Sequence, residues 1–197
     1  MKEIVIATKN PGKAKEFEAL FHSKGYEIKT LNDFPEIPDI AETGTTFKQN
    51  ALIKAKTVSQ FLNRTVVADD SGLIVDALHG EPGVYSARYA GRQKSDQDNN
   101  DKLIKNLNGV PLSRRSARFH CTLALVAPDK KDLVVEGEVP GLILEEPRGE
   151  FGFGYDPLFY VPELGKTMAE LSQADKNKMS HRARALEKLS AQWDDWV

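Results

Sequence analysis

The chain begins with a strand, a tight turn and a helix in immediate succession, an order that favours a layered fold of strands and helices. Residues 3–7 form a short β-branched run typical of a buried strand. A turn follows at Asn10-Pro11-Gly12, and the next residues carry apolar side chains at helical spacing: Ala14, Phe17, Leu20 and Phe21. Because the amino end of a helix then lies beside a strand end, its N–H groups and dipole predict affinity for an anion.

The rest of the chain alternates helical and strand patterns. Thr46 and Gln49 fit a capping box before a helical stripe, and residues 66–68 read as a second buried strand. A helix around residues 103–107, a central strand with alternating residues at 119–125, a hairpin partner at 133–139 and a last helix at 181–193 complete the predicted order. This mixture of crossover helices and a hairpin predicts an α/β or mixed α+β fold with a mixed sheet.

Composition narrows the function classes. A length of 197 residues suits one domain, and a net charge of −2 argues against a surface for polymeric nucleic acid, which requires a broad basic patch. Cys121 is the only cysteine, so the chain has no internal disulfide and no cysteine-based zinc site. The apolar run near the amino terminus is too short for a signal peptide, and no run approaches the ~20 residues that cross a bilayer. We therefore expect a cytoplasmic protein without a membrane segment.

An acidic segment, Asp69-Asp70-Ser71-Gly72, directly follows the strand at 66–68 and is predicted to form a turn at the end of a sheet. Adjacent carboxylates are hard oxygen ligands that suit Mg²⁺, which bridges protein carboxylates to phosphate oxygens. The alternative is an ordinary acidic turn. Apolar residues on both sides make full exposure less favourable, so the functional interpretation is preferred.

Two further groups of residues offer positive charge. The segment Thr8-Lys9-Asn10-Pro11-Gly12-Lys13 is not a Walker A loop, because the leading glycine is missing and Ala14 follows the lysine. Taken alone it would be a plain turn with solvated lysines. Asn50 and Lys54 lie one helical turn apart at the edge of the apolar stripe. Lys54 either meets something polar there or extends its amine into water, and the pattern supports both equally.

Near the carboxyl end, Ser180-His181-Arg182 starts the last helix, with Lys176 upstream, and His181 and Arg182 are candidate donors to a base or phosphate. Such a pair at a helix start is more often plain surface. The segment Phe153-Gly154-Tyr155-Asp156 offers an aromatic face for stacking, or equally two core aromatics.

Together these segments resemble the inosine/xanthosine triphosphate pyrophosphatase family, enzymes that remove noncanonical purine nucleotides. Six matching stretches occur in the family's order and span nearly the whole chain: residues 7–13, residues 42–44 with 46–47 and 50–51, residues 68–73, residues 82–89, residues 152–157 and residues 180–182. The one departure is Ala41, where many relatives carry a second acidic residue before Glu42.

The resemblance implies an elongated mixed α/β fold of two lobes around a central substrate cleft, usually assembled as a homodimer. It implies Mg²⁺-dependent hydrolysis of ITP, dITP and XTP to the monophosphate and pyrophosphate. By the family pattern, Thr8 to Lys13 and Lys54 hold the triphosphate, Glu42 and Asp70 serve the metal, and Asp70 is also the proton acceptor. Ser71 contacts substrate, Asp69 either binds metal or supports Asp70, and the base and ribose are met by Phe153 to Asp156, Lys176, His181 and Arg182.

Our mechanistic hypothesis is that a water activated by Asp70 and Mg²⁺ attacks the α-phosphorus while Lys9, Lys13 and Lys54 offset the developing charge. Donors near His181 and Arg182 would favour a 6-oxo purine over adenine. Two other functions are a P-loop-like kinase, which the missing Walker pattern disfavours, and a nucleotide-sensing module that binds without turnover.

Overall fold

The computed structural model describes residues 2–93 and 95–196. It contains five α-helices in this part of the chain: α1 (Pro11–Ser23), α2 (Phe47–Leu62), α3 (Asp96–Asn106), α4 (Gln173–Met179) and α5 (His181–Trp196). The strands are β1 (Lys2–Ile6), β2 (Tyr26–Thr30), β3 (Val66–Val75), β4 (Ser116–Val126), β5 (Leu133–Ile143), β6 (Phe159–Val161) and β7 (Lys166–Thr167). Short 3₁₀ turns occupy several of the connections.

The strands form one mixed sheet in the order β2-β1-β3-β4-β5-β6-β7. β1 pairs in parallel with both β2 and β3, whereas β6 pairs antiparallel with β5 and β7. β4 and β5 are sheet neighbours as well as chain neighbours, as the predicted hairpin requires. The predicted mixed α/β fold is therefore confirmed.

The chain divides into two compact units. The first takes the chain up to Asp70, then Cys121–Gly137 and the described residues from Arg182 onward; the second takes Ser71–His120 and Glu138–His181. The three longest strands, β3, β4 and β5, each pass from one unit into the other along their length.

Within the first unit, alternate residues of each strand enter two separate apolar clusters. Ile4 and Ile6 of β1 join Val67 in a cluster with α1 and α5, whereas Val5 and Val66 join a cluster with α2. Because side chains alternate across a strand, helices cover both faces of the sheet here. This explains why the sequence shows continuous apolar runs rather than alternating ones. The second unit has its own core, which contains Leu73, Leu103 and Phe159 among others.

One prediction about the acidic segment is wrong. Asp69-Asp70-Ser71-Gly72 is not a turn but the middle of β3, a continuous ten-residue strand. Asp, Ser and Gly favour turns when only local propensity acts. Here both carboxylates lie against lysine or arginine side chains from distant parts of the chain, so burial in a strand is tolerated.

Other boundaries differ in smaller ways. Thr46 caps α2 as predicted, since its hydroxyl accepts from the Gln49 N–H at 3.1 Å. The reciprocal bond is displaced by one residue, because the Gln49 side chain accepts from the N–H of Thr45 rather than of Thr46. β2 and α4 were not predicted at all. Among the helices of the described residues, none is both long and apolar enough to cross a membrane.

Candidate active site

The turn before α1 is closed by its own side chains. The Asn10 side-chain oxygen accepts from the N–H groups of Gly12 at 2.8 Å and Lys13 at 3.3 Å, and the Thr8 hydroxyl accepts from the N–H of Asn10 at 3.1 Å. Pro11 stands at the first helical position, where no N–H is needed. The N–H groups that were predicted to face an anion are therefore taken by the Asn10 cap in this conformation.

The two lysines of this segment point to different surroundings. Lys9 is more than half exposed and pairs with Asp39 at 2.6 Å. Lys13 is largely buried, and its ammonium lies 2.9 Å from Asp69 Oδ2. Of the two, only Lys13 belongs to the charged network around β3.

Asp69 is almost fully buried, and its Oδ2 also accepts from the guanidinium of Arg182 at 3.1 Å. Arg182 is the second residue of α5 and is itself 3% exposed. Its other terminal nitrogen donates to both carboxylate oxygens of Glu16, at 2.9 and 3.0 Å. Burial disfavours the Asp69 anion, but Lys13, Arg182 and Lys54 together hold the pKa of that carboxyl well below its usual range. Asp69 is thus an ionised carboxylate at neutral pH, paired with Lys13 and Arg182.

Lys54 brings the other acidic residues together. Its ammonium donates to the main-chain oxygen of Asp69 at 2.6 Å and lies 2.7 Å from Glu42 and 3.8 Å from Asp70. The interpretation in which this amine extends into water is therefore wrong. Burial opposes the charge of Lys54, yet Asp69, Asp70 and Glu42 raise its pKa, so it stays an ammonium.

Asp70 differs sharply from its neighbour. Burial raises the pKa of Asp70 to about 6; Lys54 and Asn50 oppose this rise, and Glu42 and Asp69 add to it. Its Oδ2 is buried and has no hydrogen-bond partner. A buried carboxylate oxygen without a donor is unfavourable unless a ligand uses it, and such perturbed groups are typical of functional sites.

In the second unit, a glycine-rich loop is held by an ion pair. Asp156 Oδ2 lies 2.7 Å from the Lys176 ammonium and accepts from the N–H of Phe153 at 3.3 Å. Gly152 has φ +94°, and a Cβ there would lie 2.1 Å from Asp156 and 2.2 Å from Lys176. Only glycine fits beside this pair.

The same loop separates its two aromatic residues. Phe153 is 59% exposed, whereas Tyr155 is buried and donates its hydroxyl to the main-chain oxygen of Ser86 at 2.7 Å. Burial also raises the pKa of Tyr155. Of the two interpretations offered for this segment, the stacking face fits Phe153 and the core fits Tyr155.

Gly154 lies between two side chains of α3. Its N–H donates to Asp96 at 2.7 Å, and its carbonyl accepts from the Asn100 side chain at 2.9 Å. Asp96 and Asn100 are one helical turn apart, so a single face of α3 fixes both polar groups of the glycine. The exposed ring of Phe153 is thus carried on an anchored backbone.

Ser71 and His181 complete the predicted residues of the second unit. Ser71 is half-buried within β3, directly after Asp70. The His181 ring at the start of α5 stacks on Phe119, with ring centroids 5.1 Å apart.

The structure therefore brings together Lys13, Glu42, Lys54, Asp69, Asp70 and Arg182 in the first unit, and Phe153, Gly154, Asp156 and Lys176 in the second. Sequence reasoning missed Glu16, Asp96 and Asn100. Glu16 stands three residues after Lys13 on α1, a spacing that places both on one helix face and gave a usable signal. Asp96 and Asn100 gave none, because polar residues at the start of a helix are ordinary.

A profile of the Ham1 family matches residues 4–192. The dITP/XTP pyrophosphatase of Geobacillus kaustophilus is 60% identical over 197 residues, which is 100% of this chain and 97% of that protein. The dITP/XTP pyrophosphatase of Listeria monocytogenes is 59% identical over 189 residues, covering 96% of this chain and 93% of its own. The solved structure of the Staphylococcus aureus Ham1 protein matches with a TM-score of 0.92 at 46% identity, covering 98% of this chain and 99% of that one.

These matches extend over both units and include the residues around Asp70 in the first unit and around Asp156 in the second. The chain belongs to the Ham1 family.

Proposed function

We propose that this protein hydrolyses the noncanonical purine nucleoside triphosphates dITP, ITP and XTP to the monophosphate and pyrophosphate, and so removes them from the nucleotide pool. The observation that carries this is Asp70, a buried carboxylate with a pKa near 6 and an unpartnered oxygen, beside an acidic residue and a buried lysine. The names of relatives about 60% identical to the chain supply the substrate class.

The proposed cofactor is Mg²⁺, held by Glu42 and Asp70. The residues present fit it: both carboxylates pair with the same Lys54 ammonium, so they lie close to one another, and Asp70 Oδ2 has no hydrogen-bond partner. Across the described ranges 2–93 and 95–196, no cluster of three or more His, Cys, Asp or Glu could hold a metal alone. Mg²⁺ commonly takes one or two protein carboxylates and completes its coordination with substrate phosphates and water.

When bound, Mg²⁺ would offset charge on the phosphate oxygens and on the attacking water. The chain's own residues then have distinct tasks. Asp70 accepts the proton of the water that attacks the α-phosphorus as pyrophosphate leaves, a role suited to a buried carboxylate with an oxygen that has no hydrogen-bond partner. Lys54 and Lys13 contribute positive charge that stabilises the expanding charge of the triphosphate.

Asp69 is assigned a supporting role rather than a metal-binding one. Its Oδ2 already accepts from Lys13 and Arg182, and it is 2% exposed. The Asp69 carboxylate binds the Lys13 ammonium, so that ammonium is already oriented before substrate binds. Lys9, paired with Asp39 at the surface, is assigned the outermost phosphate contact together with Thr8 to Gly12.

Recognition of the base is assigned to the second group of residues. Phe153 offers an exposed ring on an anchored loop, and stacking on an aromatic ring accepts any purine. Discrimination then requires donors for the 6-oxo group, for which we propose Lys176, His181 and Arg182, with Ser71 and Asp156 contacting the nucleotide. The Arg182 Nε is buried and has no hydrogen-bond partner, which leaves one donor of that side chain for the substrate.

A homodimer remains a prediction from the family resemblance, and a cytoplasmic location remains a prediction from the lack of long apolar runs in the sequence. Size-exclusion chromatography with light scattering tests the first of these directly.

The decisive experiment is to incubate the protein and Mg²⁺ with ITP, dITP, XTP, GTP and ATP and identify the products. We expect monophosphate and pyrophosphate from the first three, with GTP and ATP turned over much more slowly. A diphosphate with orthophosphate, or a phosphorylated acceptor, would instead indicate a phosphatase or kinase. Tight binding of dITP without product would indicate the sensing module. Equal rates for all five would remove the claim of base selectivity.

A further inference from the structure

Asn50 is a fully buried polar residue to which the proposed mechanism assigns no role. It lies on α2, one helical turn before Lys54, and therefore on the same face as the lysine that contacts Glu42 and Asp70. A buried amide is unfavourable unless its hydrogen bonds are made, so the hydrogen-bond partners of Asn50 should indicate what this residue does.

The Asn50 side-chain oxygen holds the segment that carries Glu42. It accepts from the N–H of Gly44 at 2.8 Å, two residues beyond Glu42. This contact requires glycine, because a Cβ at position 44 would lie 2.7 Å from both Asn50 Oδ1 and Gln49 Cβ. The Glu42 segment is thus packed directly onto the amide, and the Glu42 carboxylate is placed 2.7 Å from Lys54.

The other half of the amide has no partner. Asn50 Nδ2 is buried without a hydrogen bond, and so is Asp70 Oδ2. The Asn50 side chain also lowers the pKa of Asp70 as a hydrogen-bonding neighbour, so its amide lies beside that carboxylate without a well-formed hydrogen bond to Oδ2. An amide nitrogen can only donate and a carboxylate oxygen can only accept, so the two orphaned atoms are complementary.

We propose that Asn50 is a positioning residue for both acidic residues of the metal site: Oδ1 holds the Glu42 segment on α2, and Nδ2 donates to Asp70 in the substrate complex. The inference rests on the proposed function, because it presumes that Glu42 and Asp70 act together on one cation. Asn50 itself touches neither substrate nor metal. It orients Asp70 so that one oxygen faces the cation, as outer partners of metal ligands do.

The test replaces Asn50 by Leu, which is close in volume and lacks both polar functions. Affinity for Mn²⁺ is measured on the full chain by electron paramagnetic resonance, in the presence of the non-hydrolysable analogue α,β-imido-dITP. We expect Asn50→Leu to weaken Mn²⁺ binding by about tenfold or more, the size of loss typical of removed outer partners. We also expect kcat for dITP to fall by a similar factor while KM changes less than threefold.

Gln49→Leu is the matched control. The Gln49 side chain makes an equivalent loop-to-helix bond, accepting from the N–H of Thr45 at 2.8 Å, but it is exposed, whereas Asn50 is fully buried. We expect Gln49→Leu to leave Mn²⁺ affinity within twofold of wild type. Gly44→Ala should reproduce part of the Asn50→Leu loss, and the two together should be clearly less than additive, because they break the same contact.

Three results overturn the inference: Asn50→Leu binding Mn²⁺ like wild type, Gln49→Leu losing as much as Asn50→Leu, or a wild type that binds no Mn²⁺ with the analogue. Thermal unfolding of each variant shows whether it is folded. If Asn50→Leu does not fold, Asn50→Asp replaces it, because this variant keeps the acceptor for the Gly44 N–H and loses the donor. Asn50→Asp must then lower kcat for dITP. Failure of the proposed function is seen separately, as wild type that releases no pyrophosphate from dITP.

Discussion

Asp69 and Asp70 are neighbours in β3, yet their surroundings differ in almost every respect. Side chains alternate across a strand, so Asp69 faces the side covered by α1 and α5, and Asp70 faces the side covered by α2. On the first side, Lys13 and Arg182 neutralise the carboxylate completely. On the second, one lysine is shared with Glu42, and an Asp70 oxygen has no partner.

The difference shows how one strand assigns two tasks to two identical residues. A paired carboxylate has a depressed pKa and serves as a fixed anion that orients cations. An under-compensated carboxylate has a raised pKa and is available to a metal or a proton. A turn would have placed both carboxylates at the surface, where such a contrast would be weak.

Asp70→Asn should have the largest effect on activity. The amide cannot accept a proton from water, so we expect kcat for dITP to fall by about 10³-fold or more, at the upper part of the range for a general base. Pyrophosphate release under saturating dITP and Mg²⁺ measures it. Because Asn is nearly the same size, far-ultraviolet circular dichroism should match wild type. Retention of more than a tenth of wild-type kcat would show that Asp70 is not the proton acceptor, and that the different surroundings of the two carboxylates do not matter for catalysis.

Asp69→Asn should have the largest effect on stability. It leaves Lys13 and Arg182 with an uncompensated positive charge in a buried site, and removing one partner of a buried pair typically costs about 3–5 kcal/mol. Urea unfolding of wild type and variant measures the difference. The same experiment on Asp70→Asn gives the contrast, since that variant removes an unfavourable buried charge and should be no less stable than wild type. Equal losses in the two variants would contradict the electrostatic comparison.

Stability should depend on pH with opposite signs for the two residues. The folded-state pKa of Asp70, about 6, lies above its ordinary value of 3.8, so the folded protein binds that proton more tightly than the unfolded chain does. As pH rises from about 4 to above 6, Asp70 therefore removes about 2–3 kcal/mol from the free energy of unfolding of the metal-free protein. Asp69, whose folded pKa is depressed, contributes stability that is present above its unfolded value near 4 and is lost at lower pH.

Urea unfolding in chelator at several pH values measures both contributions. Wild type should lose stability relative to Asp70→Asn between pH 4 and 7, and the difference should disappear near pH 4. A constant difference across that window would mean that Asp70 does not titrate there.

The order of elements in this fold could be predicted from the sequence, because hydrophobic period and capping residues are local. The Thr46 cap and the apolar runs of β1 and β4 all lie where their patterns indicate. The course of β3 through the acidic segment could not. What keeps Asp69 in a strand comes from Lys13 and Arg182, which are 56 and 113 residues away in sequence. No local propensity includes such partners.

The roles of the predicted site residues stay predictions, but the structure shows which of them lie together. Motif order identified Glu42, Lys54 and Asp70, and the structure brings them together. Motif order did not distinguish Lys9, which pairs at the surface, from Lys13, which points inward. That distinction depends on the direction in which each side chain points from the backbone of the turn, and residue type alone does not determine this direction.

Glu16→Gln should have the smallest effect on stability, and it tests whether the surroundings of Asp69 and Asp70 are electrostatically separate. Glu16 accepts two bonds from Arg182, and the amide keeps one acceptor, so we expect a loss of about 1 kcal/mol in unfolding free energy. The Glu16 and Asp69 variants share Arg182, so the double variant should differ from additivity by about 1 kcal/mol or more. Glu16→Gln with Asp70→Asn has no shared partner and should add within about 0.5 kcal/mol. Urea unfolding of wild type, the three single variants and the two double variants completes both cycles. Coupling of Glu16 to Asp70 as strong as to Asp69 would show that the two sides of β3 are not electrostatically separate.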